Sequence, residues 1–160
     1  MQVERHTFEH PNSGQTLAEG LSEYVTANPG LTRGSHLSAE ASAFFRCHDT
    51  VHIVYGCNTS MPDEAIVKLA SIFGTTAGFG VLRGYRLHES LDIYRKLPLV
   101  DTLRAMLLAV VLVPRTILRC SRQRRRWPWR GFEEYSGVPL AQLRKEFGIT
   151  VAHEATVRDA

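Results

Sequence analysis

Cysteine is scarce in this chain: Cys47, Cys57 and Cys120 are the only three, and no two form a Cys-x-x-Cys pair. An odd, dispersed set excludes a disulfide framework and a thiolate zinc finger, and it fits a reducing compartment. Long hydrophobic runs are missing too. The longest, Ala105 to Pro114, covers ten residues between Arg104 and Arg115, about half of what a membrane-spanning helix needs. Met1 to Pro11 is polar, which predicts neither a signal peptide nor a transit peptide. Repeats, linkers and low-complexity tracts are absent. Gly78-x-Gly80-x-x-x-Gly84 lacks a preceding strand and the GxGxxG spacing, and there is no Walker lysine pattern, so nucleotide binding is not expected. A net charge of +3 is too small to select a class of partner.

What is present is enough for one core. The 160 residues are 44% hydrophobic and 22% charged, the composition of a single globular domain. Strand signals reduce to Ile149-Thr150-Val151, whereas helical periodicity recurs along the chain. Leu17, Leu21, Tyr24 and Val25 mark a first amphipathic helix, ended near Asn28-Pro29-Gly30. Ser38 is an N-cap for a second, Ala39 to Tyr55. A turn from Gly56 to Met61 leads to a third helix from Pro62 to about Phe73. Thr75 to Gly80 either continues a closely packed helix or breaks it. Further helices are expected over Glu89–Arg95, Pro98–Arg119 and Pro139–Phe147, the last closed by Gly148. The expectation is an all-α single domain, residues 1–160, of about six helices, with 1–13 and 150–160 as loosely ordered tails.

The chemistry concentrates in His48, Asp49, His52 and Glu64. At about 100° per residue, His48 and His52 lie one turn apart on one helix face, with Asp49 beside them. Two imidazoles and a carboxylate on one face are half of a divalent-metal site. Folding back at the turn would bring Glu64 to them, placing the site between two antiparallel helices. A mixed nitrogen and oxygen donor set suits zinc, with magnesium the alternative that imidazole favours less. Each residue singly has a plainer reading. A helical His is more often a satisfied core residue, and Glu64 suits the macrodipole of a helix opened by Ser60 and Pro62. The His-x-x-x-His spacing with an acid inside it favours the metal.

His48-Asp49-x-x-His52-x11-Glu64 resembles the signature of the coenzyme Q biosynthesis protein 4 family. Gly56 follows His52 at four residues, and Glu64-Ala65-Ile66-Val67-Lys68 is similar to that family's Gly-Glu-x-x-x-Lys stretch, with Asp63 in place of the glycine. Leu140 to Ile149 resembles its closing helix, so the likeness covers about residues 14 to 150. Ser71 stands where a further acid is expected. The resemblance implies a component of ubiquinone biosynthesis that removes the carboxyl group of a polyprenylated hydroxybenzoate oxidatively, in company with other quinone-biosynthesis proteins. On that reading His48, Asp49, His52 and Glu64 hold zinc, Asp49 or Glu64 serves instead as acid or base, and Arg46, Tyr55 and Lys68 are candidates to bind the substrate carboxylate. Arg46 is equally well explained as a surface charge and Lys68 as the i,i+4 partner of Glu64. The alternative is a non-catalytic isoprenoid-binding scaffold for quinone-biosynthesis enzymes. Metal-dependent hydrolysis is a third reading, in which His36 and Asp92 or Asp101 would be needed as additional ligands.

Seven arginines fall between Arg115 and Arg130. Arg124, Arg125 and Arg126 adjoin Trp127 and Trp129, a mixture that suits the headgroup layer of an anionic membrane. The chain is therefore expected in the cytoplasm, peripheral on the inner face of a membrane. The same arginines also fit a solvated cap on the preceding helix, and a homodimer through that helix's apolar arc stays open. RNA binding lacks a platform or motif here, so no nucleic-acid partner is expected.

Overall fold

The computed structural model describes residues 5–29, 38–88 and 99–153, with the side chains of 86–88 and 99–108 left out. Among these residues there are six α-helices and no strand, which makes the chain an all-α single domain. The expected helix over Glu89–Arg95 lies outside the described residues, as do His36 and Asp92, and the Asp101 side chain is among those left out.

Local sequence sets most boundaries. Helix α1 (Leu17–Ala27) opens with a capping box in which the Thr16 hydroxyl and the Glu19 carboxylate each accept the other's backbone N–H. Helix α2 (Ala39–Tyr55) starts at Ser38, whose hydroxyl accepts the Ala41 amide, and stops at Gly56 with φ of 64°, a left-handed conformation that glycine adopts without strain. Helix α3 (Met61–Phe73) is capped by Ser60, with a proline in its first turn. Helix α5 (Leu99–Ser121) runs on through Pro114, and α6 (Leu140–Phe147) ends at Gly148, φ 70°.

Helix α4 (Val81–His88) is the element that the pattern did not predict. Gly78, Gly80 and Gly84 depress helix propensity there, yet Gly84 is required by packing: a Cβ on it would sit 2.1 Å from the Phe44 ring of α2. Helix α5 lies along α3, and α1, α2 and α6 close around a core that includes Leu17, Tyr24, Ile53, Val67, Leu140 and Phe147. The short strand candidate at Ile149–Val151 forms no strand; the segment turns back, and the Ala152 amide donates to the Tyr55 carbonyl at 2.8 Å. Phe8 and Val151 are buried, and Arg5 donates to the His153 carbonyl.

Trp127 and Trp129 do not lie at the surface, where a headgroup contact would need them. Trp127 is fully buried, its indole N–H donates to Thr50 Oγ1 at 3.3 Å, and its ring packs on Phe147 at 5.0 Å. Its backbone N–H donates to the Gly74 carbonyl and its own carbonyl accepts the Thr76 amide, both at 2.9 Å. Trp129 is buried against Phe44. The indoles fill the core because the chain after α5 doubles back as a strap over α2 and α3, and neither reaches a bilayer. Arg124, Arg125 and Arg126 remain outside. Arg125 pairs with Glu146 and lies over the Phe147 ring at 4.1 Å. No helix among the described residues is long and apolar enough to cross a membrane.

Candidate metal centre

The turn after α2 folds α3 back so that its first turn meets the last two turns of α2. His52 Nε2 then lies 3.4 Å from Glu64 Oε1, and His48 Nε2 lies 3.9 Å from Glu64 Oε2. One ligand atom from each of His48, His52 and Glu64 falls within 4.8 Å of the other two. Zinc–ligand bonds of about 2.0–2.1 Å in tetrahedral geometry place donor atoms about 3.3 Å apart. The His52 Nε2–Glu64 Oε1 spacing meets that value, and the His48 Nε2 spacing, to the other carboxylate oxygen, exceeds it by about 0.6 Å.

The electrostatics support the same conclusion. Both imidazole Nε2 atoms are buried and have no hydrogen-bond partner. His52 Nδ1 stands 3.0 Å from the Asn58 carbonyl oxygen, which can only accept, so Nδ1 carries a proton and Nε2 is the nitrogen that faces Glu64. Burial, the neighbouring His52 and Lys68 hold His48 down to a pKa of about 3, against the opposing pull of Glu64; it is a neutral imidazole at neutral pH. Burial pulls Glu64 upward, but the facing imidazoles and Lys68 more than offset it, and its carboxyl sits below the usual range. Two imidazole nitrogens and a carboxylate facing one another form a group that could hold a cation. A proton satisfies one nitrogen; a divalent ion satisfies all three donors. This donor set fits a metal, and three protein ligands leave a coordination position open.

Packing fixes the two rings. Tyr24 stacks on His52 at 5.0 Å, Phe44 stacks on His48 at 6.4 Å, and Tyr85 meets His48 edge-on at 5.7 Å. Ser71 takes part in this wall: its hydroxyl accepts the Tyr85 O–H at 3.2 Å. Glu64 alone of the three ligands has appreciable exposure, 27% of its side chain, so the site opens on the α3 side.

The other sequence candidates separate from this cluster. Asp49 is buried and approaches His48 from the opposite nitrogen, Oδ1 to Nδ1 at 4.0 Å; it is outside the converging group. Lys68 is close enough to act on both His48 and Glu64, with its ammonium over the Tyr85 ring at 5.6 Å. Tyr55 is fully buried, and its hydroxyl meets the Gln123 amide at 2.6 Å and Cys120 Sγ at 4.0 Å. That places its hydroxyl in the core beside α5, outside the His48–His52–Glu64 group. Arg46 leaves the opposite side of α2, pairs with Glu133 at 3.5 Å and lies over Phe132. There it borders a cleft of about 830 Å³ walled by Phe44, Val81, Trp129 and Phe132. Phe44 is the partition: one side of its ring lines the cleft and the other neighbours His48.

Sequence reasoning overlooked Asn58, because it acts through its backbone carbonyl, and Asp63, whose position in the first turn of α3 reads as helix capping. No family model, curated protein or solved structure matches this chain.

Proposed function

We propose that the chain binds a divalent metal, zinc before magnesium, through His48, His52 and Glu64, and that it processes the head group of a quinone precursor. The observation that carries the metal half is the pair of buried, partnerless Nε2 atoms converging on one carboxylate. Neutral imidazoles are late-transition-metal ligands, which ranks zinc above magnesium. The substrate half rests on the resemblance of His48-Asp49-x-x-His52-x11-Glu64 to the coenzyme Q biosynthesis protein 4 family. It assigns an oxidative decarboxylation of a polyprenylated hydroxybenzoate, in which the ring carbon loses carbon dioxide and gains a hydroxyl; zinc is redox-inert, so an external oxygen-donating oxidant takes the two electrons and supplies the oxygen atom.

A bound zinc ion supplies Lewis-acid polarisation of a phenol or carboxylate oxygen at the open position. The chain's own residues do the rest. His48 and His52 hold the ion from a rigid helix, and Glu64 closes the third position from α3. Asp49, outside the ligand cluster and next to His48, is the carboxylate left for moving a proton. Lys68 sets a positive charge beside the site and takes the substrate carboxylate. Arg46 and Tyr55 have no part in it, one facing the far side of α2 and the other enclosed in the core. The bilayer that carries such a substrate meets Arg124 and Arg126 together with the exposed apolar residues Val110, Val111 and Leu118 of α5.

A scaffold reading is favoured by one observation: the Phe44 cleft, amphipathic and of ligand size, lies across the ring from the metal site. It predicts isoprenoid binding without turnover. Metal analysis of the purified protein beside His48→Ala and Glu64→Ala tests the primary reading. Stoichiometric zinc in the wild type, lost in both variants, supports it. A well-folded wild type that takes up no zinc on reconstitution would sink it. Product formation from a prenylated hydroxybenzoate then separates enzyme from scaffold.

A further inference from the structure

The turn that delivers Glu64 to the histidines is itself held from the far end of the chain. Asp63, the third residue of α3, is buried to 5% exposure and points its carboxylate back at the turn. Its Oδ2 accepts the Asn58 backbone N–H at 3.1 Å, and its Oδ1 is paired with Nε2 of His153. The Asn58 carbonyl in turn accepts the Nδ1–H of His52 at 3.0 Å. A continuous run of contacts therefore links His153, Asp63, Asn58 and His52.

Asn58 has little freedom within this run. Its side-chain oxygen accepts from Asn28 at 3.1 Å and from the Thr59 amide at 2.9 Å, so α1 holds it from the other side. The Asn58 carbonyl is the group that decides where the His52 proton sits. Without it, the ring is free to carry its proton on Nε2, where it blocks the metal, or to rotate away from Glu64.

We infer that Asp63 and His153 are positioning residues for the metal centre, acting through the Asn58 carbonyl to fix the tautomer and direction of His52. The inference rests on the metal-binding reading above. Neither residue touches the metal position; both hold the peptide that does the orienting. Partners of this kind govern ligand geometry in metal sites, and their loss weakens metal binding by about 10- to 100-fold.

Zinc affinity by chelator competition, and the visible absorption of the cobalt-substituted protein, decide the matter for wild type, D63A, D63N, H153A and the double variant D63A/H153A. D63A is expected to bind zinc about 10- to 100-fold more weakly, with a changed cobalt band because His52 is misdirected. D63N keeps an oxygen for the Asn58 amide and falls between wild type and D63A. H153A loses less than D63A, and the double variant is no worse than D63A, since both act along one path. Zinc affinities within twofold of wild type and an unchanged cobalt band in D63A and H153A, with only the melting temperature lowered, would overturn the proposal. Should D63A fail to fold, H153A decides alone, because that side chain is 40% exposed. A wild type that binds no zinc would remove the metal reading itself, an outcome separate from variants that bind normally.

Discussion

Two buried polar clusters sit within the same core and are built on opposite principles. Around Arg144 nearly everything is satisfied. Its guanidinium, 4% exposed, donates to five backbone carbonyls, those of Phe8, His10, Pro11, Ile53 and Val54. It ties the amino-terminal turn to the end of α2 and to α6. Burial lowers its pKa to about 10, still far above neutrality, so it remains a cation. At His48, His52 and Glu64 the reverse holds: two buried nitrogens make no hydrogen bond and face only the Glu64 carboxylate at 3.4 and 3.9 Å. A buried unsatisfied polar atom costs about 1–3 kcal/mol. The same fold meets every demand of Arg144 and leaves those two nitrogens without a hydrogen bond. One cluster is closed by its own partners; the other could hold a metal ion.

Removing the closed cluster produces the largest effect. Arg144→Ala strips the shared donor from five carbonyls, and a loss of about 3–5 kcal/mol is expected in urea unfolding. Arg144→Lys keeps the charge and loses the planar fork, so it recovers only part. A change under 1 kcal/mol in Arg144→Ala would erase the contrast between the clusters.

The open cluster behaves in the opposite sense. His48→Leu replaces a bare buried nitrogen by an apolar group of similar size, so the metal-free variant is expected to be at least as stable as the metal-free wild type. Zinc at a hundred times its dissociation constant stabilises the wild type by about 2.7 kcal/mol and the variant not at all. Thermal melts with and without zinc read both values. A metal-free His48→Leu protein destabilised by more than about 2 kcal/mol would place His48 among the structural residues.

Acid sharpens the same comparison. His48 is held at about 3 in the folded chain and titrates near 6.5 when unfolded. Between those values the unfolded state binds more protons, so stability falls as pH drops below about 6.5 and goes on falling towards pH 3. His153 is shifted the other way, upward through its bond to Asp63; its contribution is complete below about pH 6.5 and fades as pH rises through the raised value. Urea midpoints of the metal-free protein across pH 4 to 8 should show the acid loss diminished in His48→Leu. An unchanged slope in that variant would mean that His48 is already protonated in the fold.

Much of this was legible in the sequence where a local rule decides the outcome. Ser38, Gly56, Ser60 and Gly148 bound helices by capping and left-handed geometry, and the His48/His52 pair follows from helical spacing alone. Glu64 joins them because the turn between is short. What escaped depends on tertiary partners. Helix α4 forms despite three nearby glycines because Gly84 admits the Phe44 ring. Trp127 and Trp129 sit beside arginines in a pattern that also describes a membrane edge; only the doubling back of the chain after α5 puts them inside. Tyr55 follows His48 by seven residues, yet its long side chain carries the hydroxyl past the site to Gln123. Asp63 and His153 lie ninety positions apart, and no periodicity connects them.

The smallest effect tests the two sides of α2 against each other. Arg46 and Glu133 form an ion pair at 3.5 Å with side chains 67% and 57% exposed, a type of contact that contributes about 0–1 kcal/mol. Arg46→Ala should therefore move the melting temperature little. It should also leave zinc affinity unchanged, because Phe44 and the body of α2 stand between the guanidinium and His48. Lys68 faces the metal side, so Lys68→Met should raise the KM for a substrate with a carboxylate at the metal, while Arg46→Ala should leave KM alone. The reverse pattern, a raised KM in Arg46→Ala and none in Lys68→Met, would move the substrate head group across the Phe44 partition into the cleft. The open histidine cluster would then be a metal site that does not touch the reacting carboxylate.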